Sequence, residues 1–147
     1  MQGASVGFAS PEFHLYFREP LTAFEAAATA FGDSLLYRAP TPEQAARVRA
    51  VFAAFGCAEL EGRRFRQLSV GQQRLVLLAR AVAKDAPLLL LDEPFQGLDA
   101  ATAGRIRDWL DDTDRPDQTL VFVTHVPSHL PAGVNRRLHL AAGRVVG

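Results

Sequence analysis

Asp92 and Glu93 follow directly on the run Leu88–Leu91, and no other place in the 147-residue chain offers chemistry so plainly. Four leucines bounded by Pro87 and a carboxylate pair read as a buried parallel strand. The carboxyl edge of such a sheet is where open α/β folds bind ligands. An Asp emerging straight from the strand suits Mg2+ held through water, and a Glu one residue on, aimed differently, suits a general base toward water. Taken alone, the pair also fits a strand end with two solvated carboxylates. A second constellation is Leu68-Ser69-Val70-Gly71-Gln72. Ser69 with Gln72 three residues later is a capping box, and the helix start it marks gathers unpaired N–H groups and about half a positive charge, which together favour an anion. Gly71 in the first turn costs about 0.5–1 kcal/mol relative to Ala, which points to something approaching the backbone closely. A phosphate would account for it; a tolerated glycine beside an ordinary cap is the plainer alternative.

The elements that position these groups are legible from periodicity and caps. Leu120–Val123, apolar and partly β-branched, ends in Thr124 and His125 and reads as another buried parallel strand. Between the two strands Asp99 caps a helix to about Asp111, with Ala103, Ile106, Trp109 and Leu110 inward, which makes a βαβ unit. The helix after Ser69 carries Leu75, Leu78, Ala79 and Val82 as its buried stripe. Upstream, Thr22 with Glu25 opens a helix faced by Phe24, Ala27, Ala28 and Phe31 and stopped at Gly32. Thr41-Pro42 with Gln44 opens another, faced by Ala45, Val48, Phe52 and Phe55 and stopped at Gly56. Val6–Ala9 reads as a short strand, and Leu138–Leu140 with Arg144–Val146 as a terminal hairpin about Ala142-Gly143. Residues 12–67 are thus expected to be helical and the remainder α/β.

Composition narrows the function classes. Sixteen basic groups balance sixteen acidic ones, so there is no counterion-release drive toward nucleic acid and no attraction to anionic lipid. Cys57 is the single cysteine, which excludes an internal disulfide and a multi-thiolate metal site and fits a reducing compartment. No apolar run reaches the roughly 20 residues that a spanning helix needs.

Leu68–Gln72, Ala79-Arg80-Ala81, Leu88–Pro94, Gly97-Leu98-Asp99 and Thr124-His125 together, in order and spacing, resemble the second half of the ATP-binding cassette of ABC ATPases. The resemblance implies an α/β fold, an incomplete P-loop NTPase cassette with a helical subdomain and a parallel-sheet catalytic portion. Residues 1–11 would be a strand and Q-loop-like segment, 12–67 the helical subdomain, and 68–147 the signature helix, Walker B strand, D-loop, switch histidine and terminal hairpin. The cofactors implied are ATP and Mg2+. Asp92 would organise the metal, and Glu93 would be the base for the attacking water. His125 would be the switch histidine at the γ-phosphate. Ser69, Gly71 and Gln72 would reach the γ-phosphate of ATP held by a partner cassette across a head-to-tail dimer, and Asp99 would communicate across that dimer. By themselves, Asp99 is also a plain helix cap and His125 a strand-end histidine. Further implied partners are a second cassette, in a head-to-tail dimer or in tandem on one polypeptide, and transmembrane transporter subunits; nucleic acid is not among them. The location implied is cytoplasmic, at the inner face of the membrane through those subunits.

Two departures from the family pattern matter. The chain contains no glycine-rich turn ending in Gly-Lys-Ser/Thr, and its one lysine, Lys84, stands between Ala83 and Asp85. Hydrogen bonds to charged groups contribute about 1.5–3 kcal/mol each, so the loss of several phosphate contacts predicts no useful ATP binding by this chain in isolation. The Q-loop glutamine expected after Val6–Ala9 is replaced by Ser10-Pro11-Glu12. Phe13, Tyr16 and Phe17 follow, either lining a groove for a membrane-spanning partner or packing within the helical part. The stretches Ser10–Leu15 and Asp92–Asp99 are similar to the C-terminal cassette of tandem-cassette proteins of molybdenum transport. The expected function is that of an ATP-hydrolysing transporter subunit; the alternative is a non-hydrolysing module lending only its signature helix to a partner's site.

Overall fold

The computed structural model describes residues 5–17, 20–32, 35–112 and 115–146. Three parallel strands, β1 (Val6–Ala9), β2 (Leu88–Asp92) and β3 (Thr119–Val123), lie in the order β1-β2-β3. Leu90 sits between Phe8 and Val121, and Asp92 pairs with Val123. Between β1 and β2 come a 3-10 turn at Phe13–Tyr16 and the helices α1 (Ala23–Ala28), α2 (Pro42–Phe55) and α3 (Val70–Ala83). Helix α4 (Ala100–Asp112) joins β2 to β3, completing the βαβ unit expected from the sequence.

All three capping boxes form, with both reciprocal bonds, at Thr22/Glu25, Thr41/Gln44 and Ser69/Gln72. Helix α2 ends as expected on Gly56, whose φ of 70° is the left-handed conformation that glycine adopts without strain. Gly32 behaves differently. Its φ is −98°, and α1 has already given way to a 3-10 turn at Thr29–Phe31. The Thr29 hydroxyl donates to the Ala26 carbonyl (2.8 Å), a back-bond that competes with the regular helical ladder there.

Helix α3 is the axis of the molecule. The expected stripe widens to the full circumference, and every residue from Leu75 to Ala83 is buried. The reason is that α1, α2 and β1 all pack against α3. Gly7 permits the contact with β1, because a Cβ there would run into the carbonyl of Ala81. Arg80 is buried within this axis. Its Nε donates to Thr29 Oγ1 (2.8 Å), and its guanidinium lies 5.2 Å from the Phe13 ring centre and 5.9 Å from that of Phe17. Burial lowers its pKa to about 10, which leaves it charged at neutral pH, compensated by aromatic faces and a hydroxyl. Phe17 is accordingly core, whereas Tyr16 is exposed; of the aromatic trio after β1, packing takes the first and last.

The core centres on Phe52, Phe55, Phe65, Leu77, Leu78, Leu89, Leu91 and Ile106. Each such side chain contributes about 1.5–3 kcal/mol by leaving water. The strands depart from the expectation of burial on both faces. Ala9, Leu89 and Leu91 are buried beneath the helices, but Val121 and Val123 on the other face are 41% and 46% exposed. The steps β1→β2 and β2→β3 run in the same direction across the sheet, and right-handed crossovers then place their helices on one side only. The terminal hairpin is shorter than expected, pairing β4 (Leu140–Ala141) with β5 (Arg144–Val145) about Ala142 and Gly143, both at positive φ.

Candidate functional site

The carboxyl edge of the sheet brings Asp92, Glu93 and His125 together. Asp92 is the last residue of β2 and sits in register with Val123, two residues before His125. Glu93 leaves the strand with φ of 45°, a left-handed conformation costly for a residue with a Cβ. It is held there by its own N–H, which donates to the Val123 carbonyl (2.9 Å), and by its carboxylate. Glu93 Oε1 accepts from the His125 backbone N–H (2.8 Å) and lies 2.6 Å from His125 Nδ1, while Oε2 accepts from Thr124 Oγ1 (3.2 Å). A carboxylate only accepts, so Nδ1 carries the hydrogen in this pair. Thr124 Oγ1 in turn accepts from the Val126 N–H (3.1 Å), which fixes its orientation. Burial alone would raise the Glu93 pKa, but the side-chain and backbone hydrogen bonds and charge of His125, with the Thr124 hydroxyl, outweigh it and hold the carboxyl below its ordinary value. The group is therefore an ionised acceptor at neutral pH. With about four lone-pair sites and three taken, it keeps one for a water molecule.

Among the described residues no group of three or more His, Cys, Asp or Glu side chains could enclose a metal ion. Asp92 offers a single carboxylate at the sheet edge. That donor set fits Mg2+, which keeps several waters and takes one or two carboxylates together with substrate phosphates.

At the start of α3, Ser69 Oγ accepts from the Gln72 N–H (3.2 Å) and Gln72 Oε1 from the Ser69 N–H (3.1 Å), so both side chains are engaged in the cap. Ser69 and Val70 are exposed, leaving the amino end of the helix open to solvent. The close approach inferred at Gly71 is real, but the neighbour is protein: a Cβ there would lie 2.7 Å from the Gly97 carbonyl oxygen. The glycine lets α3 pack against the turn that follows β2. Gly97 has φ of 81°. Asp99 caps α4 with both oxygens, accepting from the Thr102 N–H (2.9 Å) and from Thr102 Oγ1 (2.7 Å). Those bonds hold its carboxyl below the usual range.

Two contributors were not singled out from the sequence. Thr124 was noted only as the neighbour of His125, yet it is the second donor to Glu93. Arg74 bridges two loops, its Nε donating to the Pro11 carbonyl (3.2 Å) and its Nη1 to the Gln96 carbonyl (3.2 Å), and so ties the segment after β1 and the turn after β2 to α3. Its place one turn into a capped helix, followed by wholly apolar residues, was the available signal.

A three-stranded parallel sheet with its helices on one face is the part of the fold that this chain shares with solved P-loop-type NTPase cassettes. The family model for the ABC transporter matches residues 5–96, and the chain belongs to that family. An uncharacterised ABC transporter ATP-binding protein of Schizosaccharomyces pombe is 33% identical over 142 residues, covering 97% of this chain and 29% of that protein. The ABC transporter ATP-binding protein ModF of Escherichia coli is 35% identical over 136 residues, covering 90% of this chain and 28% of that protein. A solved dimeric bacterial ABC transporter cassette superposes with a TM-score of 0.67 at 28% identity, covering 85% of this chain and 54% of that one. It has also been solved after hydrolysis with ADP and Pi bound. The chain thus spans about half of that cassette and less than a third of the two relatives. The family uses ATP with Mg2+. Among the described residues no helix is long and apolar enough to cross a membrane.

Proposed function

We propose that this chain is the later part of the ATP-hydrolysing subunit of an ABC transporter, with residues 1–11, 12–67 and 68–147 as its Q-loop-like, helical and catalytic portions. The observation that carries the reading is the Glu93 carboxylate, ionised, oriented by His125 and Thr124, and with one acceptor site left for water. In this reading Glu93 takes a proton from the attacking water as its oxygen bonds to the γ-phosphorus and the bond from that phosphorus to the β,γ-bridging oxygen breaks, with ADP leaving; Asp92 would hold Mg2+. His125 contacts the γ-phosphate. Mg2+, when bound, supplies charge neutralisation at the phosphate oxygens.

The exposed amino end of α3, with Ser69, Gly71 and Gln72, serves the γ-phosphate of a second cassette in a head-to-tail dimer, and Asp99 lies at that junction. The dimeric state of the solved relative supports the arrangement. In this reading transmembrane subunits dock near Tyr16, and the protein lies at the cytoplasmic face of a membrane; the exposure of Leu15 and Tyr16 supports it. A molybdenum-related solute is the narrower part of the proposal, supported by the likeness of residues 10–15 and 92–99 to tandem-cassette proteins.

The test is phosphate release by this chain joined to a phosphate-loop segment of a cassette, alongside Glu93→Gln. Expected are negligible turnover by the chain alone, turnover by the joined protein, and loss of it in Glu93→Gln with nucleotide binding retained. Turnover indifferent to Glu93 refutes the assignment, and binding without turnover in the joined protein selects the non-hydrolysing module instead.

A further inference from the structure

The chain that leaves His125 is neither strand nor α-helix. It makes a 3-10 turn at Pro127–His129 and a backbone bond from the Val134 N–H to the Pro131 carbonyl (3.3 Å). Pro131 brings no N–H and biases Leu130 toward the extended conformation it adopts, so the turn begun at Pro127 does not grow into a helix. With few bonds of its own, the segment takes its course from what grips it. Arg107 Nη1 donates to the Ser128 carbonyl (3.1 Å), and the His129 ring meets that of the buried Phe95 at 5.5 Å. Asp111 takes the largest share: Oδ2 accepts from the Ala132 N–H (3.0 Å) and Oδ1 from the Gly133 N–H (3.0 Å). Two successive N–H groups converging on a carboxylate form a nest for an anion. Asp111 stands in the last turn of α4, where the helix dipole disfavours a negative charge and no basic residue offsets it. Its bonds to the segment supply the compensation.

His125 needs such a hold. Its side chain is 75% exposed, and its two bonds, from the backbone N–H (2.8 Å) and from Nδ1 (2.6 Å), end on the same oxygen, Glu93 Oε1. Bonds that share one atom fix a distance and leave the group free to pivot about it. The direction of the chain beyond residue 125 must therefore be set from elsewhere, and α4 sets it at Ser128, Ala132 and Gly133. We propose that Arg107 and Asp111 are positioning residues for His125: they strap residues 126–133 to α4 and thereby hold the imidazole with Nδ1 on Glu93 and Nε2 turned to whatever the site binds. The inference deepens the cassette reading and rests on it for what Nε2 contacts, but not for how the ring is held.

The chain holds four histidines, and the imidazole nitrogen shifts in NMR spectra read each ring by itself. His14, whose Nδ1 lies 2.7 Å from the Pro11 carbonyl oxygen, is the control outside the strap, and the exposed His139 is the reference for a ring with no fixed tautomer. In Asp111→Ala, and to a smaller degree in Arg107→Ala, the His125 nitrogen shifts should move toward those of His139 with His14 unmoved. Amide exchange at His125, Ala132 and Gly133 should quicken by roughly tenfold or more in Asp111→Ala. Asp111→Asn keeps one acceptor and sets its amide against the other N–H, so it should fall between Asp111→Ala and wild type. Asp112→Ala removes the same charge one residue on, from an exposed position, and should leave His125 as it is. His125 unmoved while Ala132 and Gly133 exchange freely overturns the proposal. So does a shift of His14 along with His125, or lost amide protection across residues 75–83, which would make the two side chains supports of the whole fold. Phosphate release by the joined protein is read separately: a displaced His125 with turnover unchanged keeps the strap and refutes the role given to His125 at the γ-phosphate, and turnover lost in Asp111→Ala but not in Asp112→Ala supports both.

Discussion

Gly71→Ala separates two explanations of the same glycine. Were the residue there to admit a phosphate, alanine would relieve the unliganded protein of the helix-interior penalty of about 0.5–1 kcal/mol and stabilise it. The structure gives the opposite sign. The new Cβ would lie 2.7 Å from the Gly97 carbonyl oxygen, a backbone atom that cannot swing aside. Arg74 holds that turn through the Gln96 carbonyl, and Gly97 itself sits at φ of 81°. Overpacking of this kind costs about 1–3 kcal/mol, so the net expectation is a loss of about 1–2 kcal/mol. Gly104, in α4, is the internal control, because a Cβ there meets nothing within 4 Å. Gly104→Ala should gain about 0.5–1 kcal/mol. In nucleotide-free thermal unfolding, where 1 kcal/mol moves Tm by about 2–4 °C for a chain of this size, the two variants should move in opposite directions. If both rise together, the packing account of Gly71 is wrong.

Burial pushes the Cys57 thiol up to about 12, with Glu59 adding to it, against an ordinary value of 9.0. The unfolded chain therefore releases this proton first, and the stability it supports is full below the ordinary value and declines as pH rises through that window, by at most about 1.4 kcal/mol per pH unit. Urea unfolding of wild type and Cys57→Ala across the alkaline range should show the steeper decline in wild type; parallel curves would discount the thiol. Phe52→Ala, at a residue 1% exposed in the centre of the core, should cost about 3–5 kcal/mol by equilibrium unfolding. Asp99→Ala should lower Tm at neutral pH by removing both bonds to Thr102. The Asp99 pKa is depressed, so that difference should be present above the ordinary carboxylate range and vanish as pH falls through the lowered value. A gap that persists in acid would point to something other than the cap.

What the sequence made legible was local. The caps at Thr22, Thr41 and Ser69 form because their partners sit three residues away, and the strand ends at Asp92 and Val123 follow from short apolar runs meeting polar residues. The βαβ unit followed from two apolar runs flanking a capped helix, and a shared location for Asp92, Glu93 and His125 was what the family resemblance implied. What stayed hidden was set by contacts far apart in the chain. A run of leucines does not say how many of its faces are covered, so the bare side of the sheet was invisible. The neighbour of Gly71 lies 26 positions away at Gly97, and the partners of Arg80 lie at Thr29, Phe13 and Phe17. The early end of α1 belongs to the same category, since Thr29 is recruited by that arginine.

Helix α3, buried along its whole second half and clamped at its first turns to the loops bearing Pro11 and Gln96, leaves no seam between the helical and sheet portions. A protease that nicks the exposed connections should not liberate two independent lobes, because each would carry away an unfilled socket. A displacement of the turn bearing Leu15 and Tyr16 should therefore be felt at α3, which packs against that turn and holds the Pro11 and Gln96 carbonyls through Arg74.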